Sequence, residues 1–405
     1  MKMKMSIFLE GIKVNKRNII CFASIFFSLF TWYYIYSFDL LRLFVENKMI
    51  NFLFYNSLFN FIISLFLILN SLFFHKFKIS NIYTWSIFSI IGTILILFPI
   101  QFYFRLIIFL ILGVGFSISI LSFFIYFWQL TLPQERGRIA GLISFILLPI
   151  FSLTVITVKS LSFFVVDLLC VFLNLLIILI KILMLDEENL LFVKNDNNLI
   201  GYNPENKIIV LYTIPWLFYS LINTTLAKTV SFHISKYFPV YLLTILMLIQ
   251  IIGGSLGSLL GGIISDFFGR RISLAIGLTI YGITSAICGL TKNYMIFTVI
   301  FLGNGITWGI FLTLYSFLIW GDLATKNTCA YRYSVGLLIF YLSQGIGSLF
   351  SNYLLKIPLV IASIIICLLI FLSNIPLIFA PELLPSVFRE KIRYKLYLFM
   401  IKRKK

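Results

Sequence analysis

A chain of 405 residues that is 61% hydrophobic and only 11% charged cannot hide its apolar surface as a soluble domain, so part of its solvent is lipid. The formal net charge of +18 sits in the two tails and in alternate loops, which is a membrane-topology pattern and excludes a nucleic-acid footprint. Five scattered cysteines (Cys21, Cys170, Cys288, Cys329, Cys367) form no CxxC pair and read as buried or lipid-facing thiols. Two histidines, His75 and His233, suggest no metal site, and no cofactor is expected.

In chain order, apolar runs long enough to cross a ~30 Å hydrocarbon core predict twelve helices. They lie at 18–38, 50–74, 82–99, 105–128, 138–158, 160–185, 208–229, 238–264, 272–290, 294–320, 332–354 and 357–380. None shows the alternation of a barrel strand, and only helices satisfy their own backbone in lipid. The expected fold is an all-α polytopic membrane protein. The basic start leads into a run that spans, with no small-residue cleavage site, so no cleavable signal is expected. The longest polar interruption, 186–207, divides the chain into a bundle at 1–185 and a bundle at 208–380, followed by a basic tail at 381–405. Placing both termini in the cytoplasm puts 24 basic residues on that side and 8 outside: Arg42, Lys48, Arg105, Lys159, Lys228, Lys236, Lys292 and Lys356. That asymmetry predicts a multi-pass protein of the cytoplasmic membrane with both termini cytoplasmic. The tail "FREKIRYKLYLFMIKRKK" alternates basic and apolar residues and is expected on the anionic inner leaflet.

The halves are related. "LGVGFSISILSFFIYFW" (112–128) and "LGNGITWGIFLTLYSFLIW" (302–320) share L-G-x-G and a closing Trp, at offsets of 190 and 192. Arg138 and Arg332, which open the next span in each half, lie 194 apart. Two parallel six-helix halves place a solute site between them near the bilayer midplane.

The turn between the eighth and ninth spans reads "GGIISDFFGRRIS", with Gly262-x-x-x-Asp266-x-x-Gly269-Arg270-Arg271. Gly269 permits the reversal, and a carboxylate here can accept from open N–H groups at a neighbouring helix N-terminus. The stretch resembles the signature loop of the major facilitator superfamily at every position. "LPQERGRIAG" (132–141) is similar to the family's P-x-x-x-R-G turn, one residue shorter. "APELLP" (380–385) is similar to the ending of its sugar-porter and organic-ion-transporter branches. The resemblance covers essentially the whole chain. It implies that Asp266 meets the start of helix 5, around Arg136 to Gly141, where Arg138 lies, and that Asp322 pairs with Arg270 or Arg271. Such contacts form a cytoplasmic latch that breaks during transport. The equivalent loop of the first half, "NSLFFHKFKISN", departs from the pattern: His75 stands near the Asp position, so this latch is expected to be lost. Helix 5 also lacks the Gly-rich pattern of the family's drug/proton antiporters.

Polar groups within the spans are few. Trp216, Tyr219 and Asn223 share one helical face, as do Asn304 with Trp308, and Tyr341 with Gln344 and Ser348. Gln250 lies mid-span, and Tyr33, Tyr34 and Tyr36 come from the first span. Residue by residue, such groups serve as readily to glue helices together or fill space. In the family the cavity is lined by helices 1, 4, 7 and 10 with help from 2, 5, 8 and 11, so these faces are expected to converge on a substrate. Asp39 and Asp167 are candidates for proton coupling, and the bland alternatives are an interfacial Asp39 and an Asp167, followed by Asn174 and Lys181 at sevens on one face, that pairs structurally with Lys159. With no arginine pair in the lining, sugars, neutral polar solutes or lipophilic organic ions suit it, and a dianion does not. Gly253, Gly257 and Gly261 recur every four residues and predict close helix packing. No P-loop is present, and no cluster of acid, base and nucleophile suggests an enzyme. The expected protein is therefore a secondary or facilitative transporter, monomeric, with a small solute as its partner. The alternative is a transporter-fold receptor or assembly protein without transport.

Overall fold

The computed structural model describes residues 12, 14–37, 49–73, 80–97, 102–158, 163–184, 206–290 and 293–384. Asp39, His75, Lys159 and nearly all of the central loop and basic tail lie outside these residues. So does the side chain of Lys181.

Twelve apolar helices account for the described chain. They are α1 (Lys16–Ile35), α2 (Met49–Phe73), α3 (Ser80–Leu97), α4 (Phe102–Leu130), α5 (Pro133–Val158) and α6 (Phe163–Met184) in the first half. The second half holds α7 (Asn206–Ser235), α8 (Val240–Phe267), α9 (Arg270–Cys288), α10 (Tyr294–Asp322), α11 (Cys329–Leu354) and α12 (Leu359–Phe379). Ten of them are long and apolar enough to cross a bilayer, and α3 and α6 carry shorter apolar stretches. The all-helical membrane architecture expected from composition is the one observed.

Local chemistry sets the helix starts. Asn15 accepts from the Arg17 amide at α1, and Asn293 accepts from Met295 N at 2.9 Å at α10. Pro133 opens α5 at a position where its missing N–H costs nothing. Large apolar side chains such as Phe88, Phe104, Phe172 and Ile364 face outward, as a lipid solvent allows.

Two helices depart from regularity. α7 breaks at Thr225, whose hydroxyl turns back to the Leu221 carbonyl. Helix resumes over Leu226–Ser235, so α7 runs past the predicted end at 229. α10 widens into a π-helical turn over Leu314–Leu318 before its last turn. Neither feature carries a Pro or Gly signal.

α8 packs on α10 within its half and on α5 across the halves, while α11 packs on α2. The glycine face explains the first contact. A Cβ on Gly257 would run into the Ile306 carbonyl oxygen, and one on Gly253 would lie 2.5 Å from Leu302 O. Only glycine lets these backbones approach so closely.

Candidate functional site: a central cavity and a buried ion network

A cavity of ≈ 330 Å³ lies between the halves. α1 contributes Phe30, Tyr33 and Tyr34, α4 contributes Ile120 and Phe124, and α5 contributes Phe151. α7 supplies Trp216, Tyr219, Ser220, Asn223, Thr224 and Lys228. α10 supplies Trp308, Tyr315 and Ser316, and α11 supplies Phe340, Tyr341 and Gln344.

The predicted faces therefore meet, with exceptions. Tyr36 is fully buried away from the cavity, stacked on Trp32 at 4.6 Å and Phe109 at 5.4 Å. Gln250 and Asn304 line a smaller neighbouring cavity of the second half, which shares Tyr219, Asn223 and Trp308 with the central one. Asn304 accepts a 2.6 Å hydrogen bond from Thr284 Oγ1 there. Ser348 binds α2, accepting from Asn56 Nδ2 at 3.1 Å.

An aromatic ladder builds the wall. Trp216 stacks on Tyr315 with centroids 4.5 Å apart, and Tyr219 stacks on Phe311 at 4.2 Å. The π-helical turn matters here, because Tyr315 and Ser316 both lie in it and both line the cavity. Trp216 Nε1 donates to Gly336 O at 2.8 Å, and Tyr33 donates to Asn60 Oδ1 at 2.6 Å. These polar tips are spent on the scaffold, so both rings present mainly their faces. Tyr33 also meets Tyr341 edge-on at 5.0 Å, joining the halves.

The terminal face is the one where α1 begins and α12 ends. On that side of the cavity lies a network of buried charges. Asp266 Oδ2 accepts from Arg138 N at 2.9 Å and from Arg138 Nε at 3.3 Å. Its Oδ1 accepts from Gly137 N at 3.1 Å and Arg270 Nη1 at 2.6 Å. Asp322 is shared between Arg136 Nη1 at 2.5 Å and Arg270 Nε at 2.7 Å. Arg270 Nη2 continues to Pro133 O at 2.6 Å, so one guanidinium of the second half binds the first half directly. All five charged side chains are at most 6% exposed. Gly262 packs against Gly137 so closely that a Cβ on either would collide with the other's backbone or its neighbours.

Arg271 plays another part: its guanidinium donates to Ala380 O at 3.1 Å. Sequence reasoning assigned no role to Glu382, which holds this corner. Its carboxylate accepts from Arg270 N at 2.6 Å and Arg271 N at 3.2 Å, capping α9. Gly269, at φ 118°, brings the chain around against that carboxylate. The residues of "APELLP" thus clamp the signature loop from behind.

Asp167 lies on α6, fully buried and away from the cavity, and neither carboxyl oxygen has a hydrogen-bond partner among the described residues. Asn174, one face-repeat further on, donates to Ser89 Oγ at 3.2 Å and Cys170 O at 2.8 Å. Among the described residues no three His, Cys, Asp or Glu side chains cluster as metal ligands.

Residues 213–373 match the family model described as "Sugar (and other) transporter". Compared with curated proteins by sequence, the chain matches none. Solved structures share the fold. A bacterial homologue of the iron transporter ferroportin, in an outward-facing state with soaked iron, superposes with a TM-score of 0.70 at 12% identity, covering 90% of this chain and 99% of that one. The proton:xylose symporter XylE bound to 6-bromo-6-deoxy-D-glucose gives 0.63 at 12% identity, with 93% and 96% covered. The transporter FucP in the outward conformation gives 0.62 at 12% identity, with 90% and 98% covered. The chain is a multi-pass helical membrane protein with the major facilitator fold, as its signature residues indicated. Its second half carries the sugar-transporter family pattern, and both the matched family and these neighbours are transporters rather than enzymes.

Proposed function

We propose that the protein moves a small organic solute across the cytoplasmic membrane by alternating access, with the central cavity as the solute site. The observation that carries this is the combination of a cavity walled by both halves and, among the described residues, a buried ion network that ties the halves together on the terminal side of it. A solute bound between two rigid halves stays in place while the closed side exchanges. Asp266 with Gly137 and Arg138, and Asp322 with Arg136 and Arg270, form the latch in this reading, while Gly262, Gly269 and Arg271 shape its loop. Both termini and the latch face the cytoplasm. The basic tail rests on the anionic inner leaflet, and the monomer is the working unit.

Proton coupling belongs to the same proposal. Asp167 is the better supported of the two candidates, because a carboxyl group this buried and without a partner is costly unless it has a use. Asp39 remains a candidate from sequence position alone.

The test is uptake into proteoliposomes from a panel of sugars, organic cations and organic anions. Saturable uptake of one class that Trp216→Ala abolishes supports the reading. Uptake of none, together with a terminal face that never opens, rejects it in favour of a transporter fold used without transport.

A further inference from the structure

Lys228 was counted by topology among the outward loop residues, yet its side chain lines the central cavity. It sits three residues beyond the break in α7, half-buried. Among the described residues it is the one charged side chain in that lining, and its ammonium makes no hydrogen bond or ion pair there. The latch arginines behave differently, each being shared between a carboxylate and a backbone carbonyl. A half-buried ammonium in a mostly aromatic cavity without an anion is a costly arrangement in a membrane protein. It makes sense if the anion arrives with the solute.

The rest of the lining points the same way. Two amides, Asn223 and Gln344, face the cavity with no side-chain hydrogen bond among the described residues. Each offers an N–H₂ donor pair to a carboxylate. No carboxylate among the described residues lines the cavity to accept from the many hydroxyl donors of a sugar. The tips of Tyr33 and Trp216 are already engaged with Asn60 and Gly336. What remains is a flat aromatic slot with cationic and donor groups.

We propose that the cavity takes a monovalent organic anion, an aromatic or alicyclic carboxylate, with its charge on Lys228 and its ring against Tyr219 and Trp308. This rests on the cavity being the solute site. A single cation fits one negative charge, and the aromatic walls fit an apolar body.

The experiment is calorimetric titration of the purified full-length protein with phenylacetate, its neutral isostere phenylacetamide, and D-glucose. Phenylacetate is expected to bind at least about tenfold more tightly than phenylacetamide, the scale of one charge-assisted contact. Lys228→Gln should bring that ratio to about one, and Lys228→Arg should retain it, which separates charge from folding. Equal binding of acid and amide, binding of neither, or a ratio untouched in Lys228→Gln overturns the inference. D-glucose binding that Trp216→Ala removes, with phenylacetate not bound, overturns it too, while keeping the cavity as a solute site. The expected ratio without exchange of labelled phenylacetate across proteoliposomes supports the anion site and rejects transport instead.

Discussion

Gly269 shows how much a single residue can fix here. It is the one glycine of the described chain with φ in the left-handed region, and a Cβ there would collide with the Glu382 carboxylate. Gly269→Ala is expected to cost about 1–3 kcal/mol of backbone strain and to displace the cap of α9. A fall in thermal stability that Glu382→Gln does not enlarge would show that both changes act on one contact. Asp266 is the sharper case. It accepts from four donors, two on Gly137 and Arg138 backbone and two on guanidinium groups. Asp266→Asn removes the charge and keeps the shape. It should favour the state with the terminal face open by about tenfold or more, because each hydrogen bond to a charged group contributes about 1.5–3 kcal/mol. Solvent accessibility of a cysteine introduced at Ala324, buried two residues beyond Asp322 and read by maleimide labelling, should rise accordingly. Asp167→Asn makes a third prediction. It should leave solute counterflow intact and abolish any pH dependence of net uptake; a pH dependence that survives would remove Asp167 from the mechanism.

Helices were legible in the sequence where lipid alone dictates them. A run such as 240–267 must satisfy its own backbone, so length and apolarity suffice to find it. The glycine spacing in α8 was equally readable, since close approach has no other solution there. Gly257→Ala would force α8 from Ile306 on α10, and a loss of monodisperse protein after detergent extraction is the expected outcome. Irregular features were not readable. The break in α7 coincides with the Thr225 hydroxyl on Leu221 O and the π-helical turn with Tyr315 stacked on Trp216, and neither leaves a Pro or Gly mark. Those two features decide which side chains reach the cavity. From sequence alone Lys228 therefore reads as a loop charge, and Tyr315 and Ser316 carry no signal of their place in the cavity. Gln250 and Asn304 had the right helical face, but Trp308 stands between the two cavities and helical periodicity cannot see it. Tyr36 followed the aromatic run of α1 yet turns into the first half, where Trp32 and Phe109 cover it. The signature loop was the most legible part of all, because its residues match the pattern of the family it resembles, and that resemblance implies their partners.

The molecule as a whole is held asymmetrically. Its halves meet through charges at the terminal face and through neutral contacts along α2 and α11, where Ser57 donates to Gly345 O at 2.9 Å and Asn56 to Ser348. Charged contacts this buried are strong when matched and costly when single, so the proposed opening is expected to run between two distinct states rather than through a continuum. The repeat tryptophans meet at this seam: Trp128 from the first half donates to Gly321 O, one residue past Trp320 of the second. Alternating access requires this seam to open while the far side closes. The most direct test is a pair of distance distributions from spin labels in lipid nanodiscs, one across the terminal face at Lys16 and Phe268 and one across the far face at Tyr103 and Val240, all four of them exposed. Two populations at each face, exchanging in opposite sense, with Asp266→Asn raising the population open at the terminal face, is the predicted result. A single unchanging distance at both faces, in the parent and in Asp266→Asn alike, would contradict it.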